Sequence, residues 1–416
     1  MAEHFDCIVI GGGPAGAMAA GQAALAGARV LLIDKNKQIG RKLGITGKGR
    51  CNVTNNCPPA ELMKNVTGGQ KFLYSAFSRF SAQDTMDFFE GLGVPLKTER
   101  GNRVFPVSDR AADIVDALRR WLKSCGVTFR TAAATGIRLD GSGMVCGVAA
   151  GSVSFDGDAV IVATGGRSYP VTGSTGDGYQ FARACGHRVT ALRPSLVALD
   201  CPDPICPACT GLGLKNVAIR LLADNKVCYT DFGEMLFTHT GVSGPTVLSA
   251  SAHMTDPDVT YALEIDLKPA LDEETLDKRI LRDFAERQNK AAKNALDGLL
   301  PGVLRAPIVE RAGIPADLPV NAITKVQRAA LVSVMKSLRL EPLTQAGFDG
   351  AVITAGGVDR ADLDPRTMAS KLVPGLFFAG EVMDLDAYTG GFNLQIAFST
   401  GYAAGVGAAD YLAKRG

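Results

Sequence analysis

Unbroken apolar runs and amphipathic stretches alternate along most of this chain, and their order predicts its architecture. Ile8-Val9-Ile10 and Val30-Leu31-Leu32-Ile33 carry no polar residue, the pattern of strands buried on both faces of a parallel sheet. The alanine-rich stretch between them reads as the crossing helix of a βαβ unit. The amphipathic run from Asp109 to Lys123 predicts a helix, and Asp158-Ala159-Val160-Ile161-Val162-Ala163 another buried strand. From about Leu192 the pattern changes to alternating strands over Val217 to Leu222, Lys226 to Thr230 and Val259 to Leu267. A mostly helical stretch follows from Glu273 to Leu338. Buried-strand runs return at Ala351-Val352-Ile353-Thr354 and Gly375-Leu376-Phe377-Phe378-Ala379, and Gly391 to Leu412 predicts a closing helix. The expected fold is α/β, with a first domain over 1–190 and 345–416 interrupted by an insertion over 191–344. The insertion is expected to be β-rich over about 191–270 and helical over about 271–344.

A length of 416 residues supports this division, since a single core stops growing at roughly 250–300 residues. With 46% hydrophobic and 21% charged residues the composition is that of an ordinary globular protein. The formal charge of +2 provides no broad field to attract nucleic acid or an anionic membrane, so the expected partner is a small-molecule substrate. No apolar run approaches the roughly 18–20 residues of a membrane helix. Glu3 and Asp6 stand where a signal peptide is basic, and Gly11-Gly12-Gly13-Pro14 breaks the apolar stretch, so no export signal is expected. Ten cysteines without a small-domain framework suggest reduced thiols in a cytoplasmic protein. Cys201, Cys206 and Cys209 include a Cys-x-x-Cys, but no second pair matches it, and a local loop feature is expected rather than a metal site.

The first chemistry lies between the first two strands. In Gly11-Gly12-Gly13-Pro14-Ala15-Gly16 the first glycine permits a tight turn, the second lets backbone approach a pyrophosphate, and the third allows close packing of helix on strand. Pro14 suits the first helical turn, and the free N–H groups there favour an anion. The second strand ends at Asp34, placed to bond ribose hydroxyls and to repel a 2′-phosphate. Lys35, Arg41 and Lys42 follow, within reach of phosphates or in a solvated basic loop. These residues indicate a dinucleotide, FAD or NAD.

Residues 40–55 form a loop rich in glycine and small polar side chains, including Gly49, Arg50, Cys51 and Asn52, suited to wrapping a flat polar ligand. With the βαβ unit, this loop resembles the signature of the BaiN-like NAD(P)/FAD-dependent oxidoreductases, also labelled aminoacetone oxidase-like. The resemblance extends to Phe237-Thr238-His239-Thr240-Gly241-Val242-Ser243-Gly244-Pro245, to Thr354-Ala355-Gly356-Gly357-Val358, and to the stretch from Ala379 to Gln395. It implies FAD on a Rossmann-like, two-dinucleotide-binding-type domain, with the insertion forming a β-barrel plus helices. It further implies that Gly380, Glu381, Asp384, Gly391, Phe392 and Asn393 lie along the ribityl and flavin end, and that Thr164 and Gly165 pass near the adenine and pyrophosphate.

The electron source is less defined. No second strand–GxGxxG–helix unit follows, so NAD(P)H would dock transiently as donor, or oxygen would act as acceptor. Cys51 and Cys57 do not have the spacing of a redox dithiol. His239 and Tyr388 are the candidate catalytic acids, with helix capping and packing as their structural alternatives. The expected reaction is NAD(P)H-linked reduction of an activated C=C bond, such as a steroid or bile-acid-like enone. The alternatives are peroxide-producing oxidation of a small amine such as aminoacetone, and a non-catalytic flavin-binding redox sensor.

Overall fold

Cys7 to Ile10 pair in parallel with Val30 to Ile33 on one side and with Ala159 to Val162 on the other, and all of these residues are buried. That is the central part of the main sheet in the computed structural model, which describes residues 3–415. The sheet runs in the order Thr128–Thr131, Val30–Asp34, His4–Ile10, Val153–Val162, Val145–Ala150 and Gly136–Leu139. Leu376–Phe378 takes up the free edge of Val153–Val162 beyond the point where Val145–Ala150 ends, pairing Phe378 with Val162. The C-terminal segment thus completes a sheet begun at the N-terminus.

Two compact units result: residues 1–194 with 348–416, and residues 195–347. In the first, helix Phe392–Arg415 lies along helix Pro14–Leu25. Both are rich in alanine and glycine, so the backbones approach closely: a Cβ on Gly401 would stand 2.4 Å from the Ala15 carbonyl oxygen. The amphipathic helix begins at Ala111 rather than Asp109, because Asp109 takes a left-handed conformation (φ +56°) and its carboxylate binds Lys97 and Arg50. A small antiparallel sheet joins Thr54–Asn55, Arg103–Pro106 and Leu96–Glu99.

The second unit is a closed barrel in the order Leu199–Asp200, Gly241–Ser243, Lys226–Phe237, Gly213–Ala223, Tyr261–Asp266 and Leu338–Gln345. The last strand falls inside the stretch expected to be helical. Without it Tyr261–Asp266 and Leu199–Asp200 would be open edges; pairing Ile265 with Leu338 and Leu199 with Gln345 removes them. The helices Glu273–Ala285, Gly302–Arg311 and Lys325–Lys336 are therefore an excursion between two barrel strands, packed through Leu276, Ile280, Leu304, Ile308 and Leu331. Among the described residues no helix is long and apolar enough to cross a membrane.

Candidate flavin site

Backbone hydrogen bonds across the strand ends set the site in the first unit. Gly11 N–H donates to the Ile33 carbonyl (2.8 Å), Ala163 N–H to Ile10 (2.8 Å) and Ala379 N–H to Val162 (3.0 Å). Asp34, Gly11, Ala163 and Ala379 therefore stand in a row at the carboxyl ends of four neighbouring parallel strands, where open α/β sheets bind ligands. Four stretches far apart in sequence become one rim.

The glycines of the first turn divide by role. Gly11 has φ +106°, and a Cβ there would meet the Ala163 carbonyl oxygen at 2.5 Å; a Cβ on Gly16 would lie 1.8 Å from the Gly11 carbonyl oxygen. Both are required by the turn itself. Gly13 is extended (φ −75°, ψ −176°) with nothing within 4 Å of a built Cβ, and it opens helix Pro14–Leu25 without a side-chain cap. The uncapped N–H groups and the positive end of the helix dipole form an anion site. Ala15 packs against Gly380, whose own Cβ would come within 2.8 Å of it, which joins the C-terminal segment to this turn.

The charged candidates are held largely by the protein itself. Asp34 accepts from Gly12 N–H (2.7 Å), Asn36 N–H (2.7 Å) and Asn36 Nδ2 (3.0 Å). Lys35 binds Asp177 (2.7 Å) and Thr175, while Arg41 donates to Asn36 Oδ1 (2.8 Å). Lys42 donates to Ser168 Oγ (2.7 Å) and to both oxygens of Glu381 (3.1 and 3.3 Å); Glu381 also accepts from Thr354 N–H (2.9 Å). Arg50 pairs with Glu99 (2.5 Å) and Asp109 (2.6 Å), its guanidinium 4.1 Å from the centre of the Phe105 ring. Lys35, Lys42 and Arg50 are thus ion-paired within the protein, while Arg41 meets a neutral amide. Ser168 and Thr354, which tie Glu381 in place, were not among the expected site residues; the signal for them was their position just beyond the glycine turn at 165–166 and at a strand end.

At the other end of the site, Gly391 (φ +98°) lies on the strand at Thr54, where a Cβ would meet the Thr54 carbonyl oxygen at 2.4 Å. Asn55 Nδ2 donates to the carbonyls of Gly390 and Gly101, both at 3.0 Å. Phe392 is buried, and Asp384 lies 3.6 Å from Arg360. Asn393 bonds Ala387 through both ends of its amide (2.8 and 2.7 Å), which positions the backbone at Tyr388. Gly49 is exposed and Gly165 takes a left-handed conformation (φ +72°). Among the expected cofactor residues, two have a buried side-chain atom with no partner in the protein: Asn52 Oδ1 and Thr164 Oγ1. Burial pushes the Cys51 thiol up to about 12 and Cys57 to about 11, so neither is a thiolate near neutral pH.

In the second unit, His239 is exposed on the turn between Lys226–Phe237 and Gly241–Ser243. With Asp200, Cys201, Asp203 and Thr344 it lines a cavity of about 610 Å³. The following helix starts at Pro245 behind Gly244 with no side-chain cap, so His239 does not serve as one. Tyr388 belongs to the first unit, its N–H bonded to the Asn65 carbonyl (2.9 Å). Among the described residues the one trio of ligand-type side chains within 4.8 Å is His4, Asp6 and Asp158, so the sulfurs of Cys201, Cys206 and Cys209 do not converge.

A Rossmann-like sheet with an uncapped glycine turn at its switch point, together with an inserted six-stranded barrel, is the frame of an FAD-dependent oxidoreductase. The unpartnered Asn52 and Thr164 oxygens and the open space at Gly13 fit that cofactor. Residues 5–407 match the family model described as HI0933-like protein Rossmann domain, and the chain belongs to that family of FAD-dependent enzymes. It is 34% identical over 411 residues to a ribosomal RNA dihydrouridine synthase of Escherichia coli (strain K12), covering 96% of this chain and 97% of that one. It is 31% identical over 409 residues to a 3-dehydro-bile acid delta(4,6)-reductase of Clostridium scindens, covering 97% and 98%. Its fold is also that of the 3-ketosteroid-delta4-(5alpha)-dehydrogenase of Rhodococcus jostii RHA1, with a TM-score of 0.54 at 16% identity over 98% of this chain and 97% of the other. Membership of an enzyme family replaces the non-catalytic sensor reading.

Proposed function

We propose that this chain reduces a carbon–carbon double bond conjugated to a carbonyl, with uridine of ribosomal RNA as its substrate. The carrying observation is near full-length similarity to the Escherichia coli relative, whose name specifies dihydrouridine formation in ribosomal RNA. The Clostridium relative's name specifies a delta(4,6)-reductase. Both names describe one type of chemistry, since the C5=C6 bond of uracil and a ring enone are each polarised by an adjacent carbonyl. A bile-acid-like enone is accordingly the second reading. The expected absence of a nucleic-acid partner rested on net charge, which averages over local patches, and it gives way to the RNA reading. No observation favours the amine oxidase.

FAD, when bound, would supply the hydride. The backbone N–H groups of Gly13, Ala15 and Gly16 would hold its pyrophosphate, and the remaining lone pairs of Asp34 would accept from ribose hydroxyls. Thr164 Oγ1 and Asn52 Oδ1 would take up polar cofactor atoms, relieving buried groups that otherwise lack a partner. The Gly390-Gly391 turn would let backbone approach the ring. His239 or Tyr388 would donate the proton to the carbon beside the carbonyl, a role whose loss costs about 10²–10⁴ in rate. NAD(P)H would serve as transient donor.

The test is anaerobic turnover of the FAD-loaded protein with NADH or NADPH, offering ribosomal RNA in one arm and a 3-oxo-Δ4 steroid in the other. Nucleosides from the digested RNA should gain two hydrogens, and His239→Phe or Tyr388→Phe should slow that gain while retaining FAD. Flavin bleached solely by a small amine, with peroxide on aeration, would overturn the proposal.

A further inference from the structure

Resting on the RNA reading, we propose that Lys48, Arg100, Arg103 and Arg110 form a surface that grips the RNA phosphate backbone beside the Gly390-Gly391 turn. The chain is almost neutral, yet its basic residues are unevenly placed. Residues 41–57 contain four basic side chains and no acidic one, and residues 96–110 contain four basic and two acidic.

The fold brings these two segments together, pairing Thr54–Asn55 with Arg103–Val104 and the latter strand with Leu96–Glu99. Both acids are then occupied: Glu99 and Asp109 bind Arg50 at 2.5 and 2.6 Å, and Lys97 binds Asp109 at 2.8 Å. Lys48, Arg100, Arg103 and Arg110 remain exposed, with no carboxylate partner among the described residues. Backbone geometry places Lys48, and backbone and ring contacts place Arg103. Lys48 is in a left-handed conformation (φ +59°) in the loop where Gly47 meets Phe105. Arg103 Nε donates to the Arg100 carbonyl (3.1 Å), with its guanidinium 5.9 Å from the Phe105 ring centre.

Asn55 then locates the patch. One side-chain amide bonds both Gly101, in the hairpin carrying Arg100 and Arg103, and Gly390, in the turn placed at the flavin ring. A strand held along these cations would pass beside the place where its base must react. Guanidinium groups match phosphate geometry, and four cations spread over two segments suit a polyanion better than a substrate with one carboxylate.

The experiment measures binding of a short, labelled, uridine-containing single-stranded RNA to the FAD-loaded full-length protein between about 50 and 200 mM salt. The triple variant Lys48→Gln/Arg100→Gln/Arg103→Gln should bind at least about tenfold more weakly, with the log–log salt slope reduced by about 0.7 for each replaced cation. FAD content and thermal midpoint should match wild type, and Arg183→Gln, exposed on helix Asp177–Ala184, should bind RNA normally. Wild-type affinity and slope in the triple variant would overturn the proposal. So would absence of RNA binding by the wild type. If the wild type forms dihydrouridine and the triple variant still grips RNA normally, the surface fails while the reaction stands. If RNA is gripped through the patch and no dihydrouridine forms, the reaction fails while the surface stands.

Discussion

The two units carry their chemistry on different parts of the chain. In the first, the cofactor rim is backbone: strand-end N–H groups, an uncapped helix terminus, and glycines whose side chains would collide with neighbouring carbonyls. Lys35, Lys42 and Arg50 beside it are paired within the protein, and the buried Cys51 thiol is protonated. In the second, the candidate groups are side chains around a cavity on a closed barrel, where His239 is exposed and Cys201 is near its titration range. A cofactor of fixed shape can be met by fixed backbone. Loop side chains around such a cavity can change without disturbing the barrel beneath.

The largest expected effect breaks the first unit's frame. Gly16→Ala places a Cβ 1.8 Å from the Gly11 carbonyl oxygen, with no flexible neighbour able to yield, and should leave little soluble folded protein. Recovery of normal yield and melting would show that the turn is not as tight as described.

Cysteine reactivity sharpens the contrast between the units. The hydrogen-bonded Cys206 thiol lowers Cys201 to about 7, whereas burial raises Cys51 to about 12. Raising the pH removes the Cys201 proton before that of Cys51, so alkylation of Cys201 by iodoacetamide should rise at a lower pH than alkylation of Cys51. Peptide mapping at pH 7.5 should find it modified about tenfold or more faster than Cys51. Equal labelling of the two would remove the distinction.

A smaller effect belongs to the helical excursion of the second unit. Thr324 caps helix Lys325–Lys336 in a reciprocal box with Gln327. Thr324→Ala should cost about 1 kcal/mol, lowering the melting temperature by roughly 2–4 °C at unchanged FAD content. A parallel loss of FAD would tie that helix to the cofactor frame.

Much of the first unit was legible because its signals are local. Ile8-Val9-Ile10 followed by Gly11 to Gly16 specifies strand, turn and helix within a few residues, and Asp34 ends the next strand as expected. The roles of the charged residues were not legible. Nothing in the order Arg41-Lys42 indicates that Lys42 will meet Glu381, because that pairing depends on Leu376–Phe378 joining the sheet edge. Leu338–Gln345 was hidden for a similar reason. Its eight residues follow a helix directly, and the strand becomes necessary only when the barrel closes on Leu199–Asp200. The basic surface required the small sheet to unite two segments that are unremarkable apart.

The most direct test of the backbone-built cofactor site uses Gly13→Ala. The backbone there is extended and nothing lies within 4 Å of the added Cβ, so the protein alone tolerates the methyl group. A pyrophosphate seated on that turn would not. FAD titration of apoprotein, with a thermal melt of the same sample, should give an unchanged apoprotein midpoint and an affinity at least about tenfold weaker, about 1.4 kcal/mol. Wild-type FAD affinity in the variant would place the cofactor elsewhere and contradict the account.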